Sequence, residues 1–248
     1  MNPTLSGKIA LVTGSSRGIG SAIALELARY GAGVWLHASK TPDKAESVKK
    51  QIEDEGGLCY GIITADLTKK SGTADLIKKL GGIDILVLNA SVQYKNNWES
   101  ITDEEYDAQM TCNFYSSLSL IKQAVPYMRV KKYGRIITIG SVQEAKPHPQ
   151  MLVYSSSKAA QTAMVKSLAL QLAKDGITVN NVAPGVICTD RNVDALADPE
   201  YAKIVTDSIP LGFYGEKEDV APIVRLLAGK EGRYITGQSI YVDGGKSL

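Results

Sequence analysis

The sequence is poor in the side chains that hold metals or cross-link secreted folds. Its three cysteines, Cys59, Cys112 and Cys188, lie far apart, form no metal-like spacing and leave an odd one over. They are expected to be buried and reduced, which suits the cytosol. Two histidines, His37 and His148, are too few for a histidine cluster, so no metal site is expected. No apolar run is long enough to span a membrane, and the start "MNPTLSGK" lacks a signal-peptide core. Neither sign of charge dominates. A formal balance of +2, with no long basic or acidic block, argues against nucleic acid as the main partner. Lysine pairs such as Lys49–Lys50, Lys69–Lys70 and Lys131–Lys132 read as solvated helix ends and loops. The expectation is a soluble, cytoplasmic protein with no membrane partner.

What is present is apolar, evenly spread and alternating. A chain of 248 residues with 44% hydrophobic content suits one α/β domain, 1–248, built on a large sheet. "KIALVTG" reads as a buried strand, followed by a helix from about Ile19 to Tyr30 that stops at Gly31. "GVWLHA" is the next strand. "TPDKAESVKKQIEDEGG" is a surface helix capped by Thr41, with Pro42 at its first position and Gly56–Gly57 at its end. "CYGIITAD", "IDILVLNA", "GRIITIGS", "ITVNNVAPG" and "SIYVDGG" continue as strands, with helical segments between successive strands. Strands hydrophobic throughout, alternating with helices, predict a doubly wound parallel sheet of about seven strands covered on both faces. A ligand then sits at the carboxyl ends of the strands. No repeat, linker or low-complexity tract interrupts the pattern.

Between the first strand and the first helix, "VTGSSRGIGSAIALELA" places Gly14, Gly18 and Gly20 in a G-x-x-x-G-x-G turn. Such glycines permit a tight turn and close backbone approach, and the helix start offers free N–H groups to a pyrophosphate. A cofactor with a free ribose 2′-hydroxyl usually meets an acid at the end of the second strand. Here that place reads "HASK", with Ala38 and Ser39 where the acid would stand. Asp43 follows Pro42 and reads as a helix N-terminal acid. Nothing there repels a 2′-phosphate, and Arg17 and Lys40 are cations that could pair with it. NADP is therefore favoured over NAD. The alternative is that Arg17 and Lys40 are simply exposed.

Two Tyr–Lys pairs share a four-residue spacing, Tyr154/Lys158 in "YSSSK" and Tyr127/Lys131 in "YMRVK". A lysine one helical turn from a tyrosine can make the phenol usable as an acid or base near neutral pH. Thirteen residues before Tyr154 lies Ser141, directly after the strand "GRIITIG" at a carboxyl end. Thirteen before Tyr127 is Phe114, inside an apparent helix. Serines fill the space between Tyr154 and Lys158, and Ala159, Ala160 and Ala163 follow. Tyr154 is the candidate; the other pair reads as a surface or interface feature.

With "TGSSRGIG", Asp66, "LNAS", Asn113, Ser141, "YSSSK", "PGVICT" and "VDGG" in this order, the chain resembles the short-chain dehydrogenase/reductase family over its full length. The resemblance implies a Rossmann-type fold and roles for these positions. Tyr154 would be the general acid in carbonyl reduction and the general base in alcohol oxidation. Lys158 would lower its pKa and bind the nicotinamide ribose. Ser141 would hold the substrate oxygen, and Asn113 would anchor a water extending the proton path. Ser16, Arg17, Gly18, Ile19 and Gly20 would line the pyrophosphate, with Ser39 and Lys40 beyond. Asp66 and Leu67 would lie by the adenine, Asn89, Ala90 and Ser91 by its ribose. Pro184, Gly185, Val186, Ile187 and Thr189 would meet the nicotinamide. Plainer readings exist: Asn113 as a buried group bonded to backbone, Ser141 as a turn cap, Asp66 as a turn residue. Two positions depart from the family pattern: Ser91 where a glycine is common, and Phe213 where an arginine is common.

Two segments are expected to frame the substrate, Val142 to Val153 and about Asp190 to Tyr214, the latter closing over ligand. Gln143, Glu144, Lys146, His148 and Gln150 in the first suggest a polar ketone such as a sugar acid, with Ser141, Gln143 and Tyr154 as substrate contacts. The alternative is a 3-oxoacyl-thioester reductase, with Arg129, Lys131 and Lys132 docking an acyl carrier. A non-catalytic dinucleotide-binding sensor is the remote one. The resemblance also implies a homotetramer.

Overall fold

The protein was analysed as a computed structural model that describes residues 4–40 and 42–248. The chain runs β1 (Ile9–Val12), α1 (Gly18–Arg29), β2 (Gly33–Ala38), α2 (Asp43–Asp54), β3 (Leu58–Thr64) and β4 (Ile85–Leu88). There follow α3 (Asp103–Met110), α4 (Ser116–Lys131), β5 (Gly134–Ile139), α5 (Leu152–Leu172) and β6 (Ile177–Pro184). A small lobe of β7 (Ile187–Cys188), α6 (Val193–Leu196), α7 (Pro199–Asp207) and β8 (Gly215–Glu216) leads into α8 (Lys217–Ala228) and β9 (Ser239–Val242).

Seven strands form one parallel sheet in the order β3-β2-β1-β4-β5-β6-β9. Each of the seven predicted strands is present. Alternate side chains of one strand feed opposite cores, as the two-residue period of a pleated strand requires. Ala10 and Val12 join Ile23 and Leu27 of α1 and Val224 and Leu227 of α8. Leu11 between them joins Leu120 and Met128 of α4 and Val165 and Leu172 of α5. Each fully buried Leu, Ile or Val contributes about 1.5–3 kcal/mol relative to exposure, which is why the helices hold to both faces.

After β3 the chain crosses back to β4, so the carboxyl ends of β1 and β4 diverge into a crevice. The Thr13 hydroxyl fixes this point, accepting the Asn89 N–H at 2.9 Å and the Ala90 N–H at 3.0 Å.

Two local expectations are corrected. In α2, Pro42 occupies the N-cap rather than the first helical position, with φ −77° and ψ −13°; the Thr41 cap lies outside the described residues. Between β3 and β4 there is no α-helix but two 3₁₀ turns, Lys70–Thr73 and Lys78–Leu80. A Cβ at Gly72 would lie 2.0 Å from the Asp66 carbonyl, and Asp75 has φ +52°. Gln123 of α4 then fixes the loop, its Nε2 donating to the Thr73 carbonyl at 2.7 Å and its Oε1 accepting the Ile77 N–H at 3.1 Å.

Candidate active site

The crevice at the sheet's carboxyl edge is a cleft of about 840 Å³. Its floor is the glycine turn. Gly14 has φ +64°, a conformation open to glycine. Gly20 is needed for another reason: a Cβ there would sit 2.4 Å from the Gly14 carbonyl oxygen and 2.5 Å from Asn89 Nδ2. The Asn89 amide donates to the Thr13 and Gly14 carbonyls at 2.9 and 3.1 Å, so its side chain knits the two loops while the residue lines the cleft. The first turn of α1 leaves its N–H groups without helical partners, and Ser16 to Gly20 line the cleft beside it.

His37, at the end of β2, holds this turn from below. Its Nδ1 accepts the Gly14 N–H at 2.9 Å and its Nε2 donates to the Ala65 carbonyl at 3.0 Å, which fixes the neutral tautomer. Burial pushes its pKa down to about 4.

At the far end, α5 carries Tyr154 in its first turn and Lys158 one turn later, both buried against the end of β5. Ser141, just after β5, lies close enough to the Tyr154 phenol to lower its pKa and accepts the Gln143 N–H at 3.2 Å. Lys158 Nζ lies 5.6 Å from the centre of the Tyr154 ring. It donates to the Ile139 carbonyl at 2.7 Å and to Gln161 Oε1 at 3.3 Å. Burial raises the Tyr154 pKa, while Arg191 and Ser141 pull it back. Burial, reinforced by Arg191, brings Lys158 down to about 8. The phenol is thus held neutral and the ammonium is poised to lose its proton in the alkaline range.

Asn113 falls in a π turn, Thr111–Tyr115, between α3 and α4. Its Oδ1 accepts the Val92 N–H at 2.9 Å, and its Nδ2 donates to the Val92 carbonyl at 2.9 Å and to Ser157 Oγ at 3.0 Å. The backbone-bonded reading of its side chain is what the structure contains.

The competing pair is elsewhere. Tyr127 packs against Gly82, with Lys131 Nζ 5.5 Å above its ring.

Whole-chain comparison agrees with this geometry. A sequence model of a family described as enoyl-(acyl carrier protein) reductase matches residues 14–247. The chain belongs to the short-chain dehydrogenase/reductase family. Glucose 1-dehydrogenase of Gluconobacter oxydans (strain 621H) is 39% identical over 248 residues, covering 98% of this chain and 93% of that protein. A crystal structure of 3-oxoacyl (acyl-carrier-protein) reductase from Agrobacterium tumefaciens C58, with NADP bound, superposes with a TM-score of 0.94. It is 35% identical and covers 98% of this chain and 95% of its own. A protein provisionally described as an NAD(P)-dependent gluconate 5-dehydrogenase from Beutenbergia cavernae, with bound NADP at low occupancy, gives 0.93 at 31% identity and 99% coverage of both chains.

Within this short-chain dehydrogenase/reductase cleft, most residues marked from the sequence do converge. Gly14, Ser16 to Gly20, Ser39, Leu67, Asn89 to Ser91, Ser141, Gln143, Tyr154, Lys158, Pro184 to Ile187 and Thr189 line it. Four others do not. Lys40 is exposed beyond the cleft edge. Asp66 turns its Oδ1 to the Thr68 N–H (3.1 Å) and hydroxyl (2.6 Å), a turn role, leaving Leu67 and Thr68 on the wall. Glu144 faces away from the cleft: its carboxylate accepts from Asn181 Nδ2 and from the Ser239 hydroxyl, tying the loop to β6 and β9. Gln150 is exposed outside it.

The structure also brings in residues that no motif marked. Arg191 Nη2 donates to the Ser91 carbonyl at 3.0 Å and Nη1 to Gln93 Oε1 at 3.3 Å. Lys95 and Lys246 join Lys146 and His148 on the same wall. Asp190 pairs with Lys44 at 3.0 Å and Arg17 at 3.7 Å at the β2 end. The signal available for Arg191 was its place at the start of the segment expected to cover ligand.

Proposed function

We propose that the chain is an NADPH-dependent reductase of a polar ketone carrying an acidic group, of the sugar-acid kind. One observation carries the substrate class. Around the meeting point of Ser141 and Tyr154, the cleft is lined by Lys95, Lys146, His148, Arg191 and Lys246, and Asp190 is the one carboxylate among the described lining residues. A carboxylate or phosphate entering there meets cations and is drawn to the carbonyl-binding end.

The cofactor end fits a 2′-phosphate. Ser39 and Arg17 line it, and the carboxylate that would bind a free ribose 2′-hydroxyl is absent from Ala38, Ser39 and Lys40. Relatives crystallised with NADP support this assignment.

NADPH, when bound, supplies the hydride. Ser141 holds the carbonyl oxygen by a hydroxyl hydrogen bond, and Tyr154 passes its phenolic proton to that oxygen as the carbon is reduced. Arg191 and Ser141 stabilise the phenolate left behind, and the Lys158 ammonium lies 5.6 Å from the ring centre. The reverse direction uses the same atoms with Tyr154 as base. The buried grouping of Asn113, Ser141, Tyr154 and Lys158 argues against a binding-only sensor.

A second reading, reduction of 3-oxoacyl thioesters, draws support from the Agrobacterium tumefaciens relative. The surface cluster that would receive an acyl carrier is partly engaged already: Arg129 pairs with Asp175 at 2.7 Å and Lys132 lies 3.9 Å from it. Loss of NADPH absorbance with keto-sugar acids, neutral hydroxyketones and acetoacetyl thioesters separates the readings. Turnover confined to the thioester would replace the first by the second. Tyr154→Phe should abolish either activity. The reading includes a homotetramer, supported by exposed Val130 and Leu170 on α4 and α5 and by the open edge of β9; a monomer by light scattering would remove it.

A further inference from the structure

A lysine ammonium carries three N–H donors. Lys158 commits one to the Ile139 carbonyl and one to Gln161 Oε1, leaving one for the cleft. Gln161 lies on the same helix three residues on, and it is completely buried. Its Nε2 donates to Ser117 Oγ of α4 at 3.0 Å. The Ser117 hydroxyl in turn donates to the Asn113 carbonyl at 3.2 Å, in the π turn. From Asn113 the path returns: Nδ2 donates to Ser157 Oγ, whose hydroxyl donates to the Tyr154 carbonyl at 2.7 Å. Six buried residues on two helices and one turn are thus joined in one chain of hydrogen bonds that runs from the Lys158 ammonium to the Tyr154 backbone carbonyl.

We propose that Gln161 is a positioning residue for Lys158, holding the ammonium through Oε1 so that its remaining donor faces the cleft, with Ser117 and the π-turn carbonyl of Asn113 holding Gln161. This rests on the reading of Tyr154 and Lys158 as the proton-transfer pair. Asn113, which the family resemblance casts as the anchor of a water extending the proton path, is on this account joined to Lys158 through protein groups.

Plain helix packing does not call for an amide here. A buried glutamine loses its hydration and recovers it only if both ends are bonded, whereas leucine would fill similar space at no such cost. Both ends are bonded, one of them to a buried cation. The titratable and charged groups around that cation are Tyr154 on its own helix, Cys112 from the π turn, Arg191 from the segment after β7 and, with its carboxylate turned to Asn181 and Ser239, Glu144 from the loop after β5. Burial and Arg191 disfavour the charge; Cys112 and Glu144 favour it weakly. A neutral acceptor at 3.3 Å favours it too, so its removal must move Lys158 further down, and a carboxylate in its place must move it up.

The test compares wild type, Gln161→Leu, Gln161→Glu and Tyr154→Phe. NADPH affinity by cofactor fluorescence is followed from about pH 6 to 10, with kcat and KM for the best ketone of the panel and thermal unfolding alongside. In Gln161→Leu the alkaline loss of NADPH binding should move down by about one pH unit, and kcat should fall about tenfold with KM little changed. In Gln161→Glu the same limb should move up, with kcat within about threefold of wild type. A folded Gln161→Leu whose limb and kcat match wild type overturns the proposal. So do two variants that lose the same activity with limbs unmoved, because packing alone would do that. Should Gln161→Leu fail to fold, the direction of the Gln161→Glu limb decides: upward supports, unmoved overturns. Full activity in Tyr154→Phe would instead sink the underlying proton-transfer reading.

Discussion

Arg191 reaches across the mouth of the cleft to Ser91, its Nη2 donating to the Ser91 carbonyl at 3.0 Å and its Nη1 lying 3.5 Å from the Ser91 hydroxyl. The two residues stand on opposite rims, one after β7 and one after β4. The hydroxyl at position 91, where the family commonly has glycine, thus has a partner. Among the described residues the partners of the guanidinium are neutral, which leaves its charge for a substrate anion. Arg191→Ala should raise KM for a keto acid about tenfold or more, the worth of one charge-assisted hydrogen bond. KM for a neutral ketone of the same skeleton should change little. Steady-state kinetics on the matched pair decides it. An equal rise for both would reduce Arg191 to a clasp between the rims.

Arg17 tests the cofactor end. Its guanidinium is largely exposed and shares Asp190 with Lys44, leaving two cations to one carboxylate where a 2′-phosphate would lie. Arg17→Ala should weaken NADPH binding roughly tenfold and NADH binding by less than about twofold. Fluorescence titration with both cofactors reads the ratio. Equal losses would place Arg17 on the shared pyrophosphate instead.

Gly20 tests why the turn needs its third glycine. A methyl group there collides with backbone oxygen and the Asn89 amide, neither of which can swing aside without undoing the Thr13–Asn89 link. Gly20→Ala should cost about 1–3 kcal/mol of stability by overpacking and should impair NADPH binding at temperatures where the protein stays folded. Chemical denaturation and cofactor titration check both. Wild-type affinity in the variant would mean that the turn tolerates the shift.

The parts legible in the sequence are those whose cause is local. Strand runs such as "KIALVTG" and "GRIITIG" are apolar on both faces because helices cover both faces, and the glycine turn needs conformations that few other residues adopt. The segment after β3 departs from the helix expected between successive strands even though "TADLIKK" has helical composition. Its shape is set by the Gly72–Asp66 contact and by Gln123, about fifty residues later in the chain. Tyr154 and Ser141 could be paired from sequence, since a strand end and the next helix are near neighbours in this topology. Arg191 could not be paired with Ser91, because 100 residues separate them and no periodicity links them. Gln161 had a helical address beside Lys158, but only the α4–α5 packing shows that both ends of its amide are bonded.

His37 gives the fold an acid limit of its own. Its Nδ1 must stay unprotonated to accept the Gly14 N–H, and burial holds its pKa at about 4 against an ordinary value of 6.5. Above 6.5 both the folded and unfolded forms are neutral and the group adds no slope. Below it the unfolded chain binds a proton that the folded chain refuses, so stability falls as pH drops from 6.5 towards 4, then levels. Between pH 7 and pH 5 the loss from this one residue should be about 2 kcal/mol. Carboxylates also titrate in this range, so the measurement is a difference: urea unfolding at both pH values for wild type and His37→Asn. The variant keeps an acceptor but cannot titrate; it should be less stable than wild type at pH 7 and should show a flatter decline towards pH 5. Parallel declines in the two proteins would mean that His37 protonates without disturbing the glycine turn.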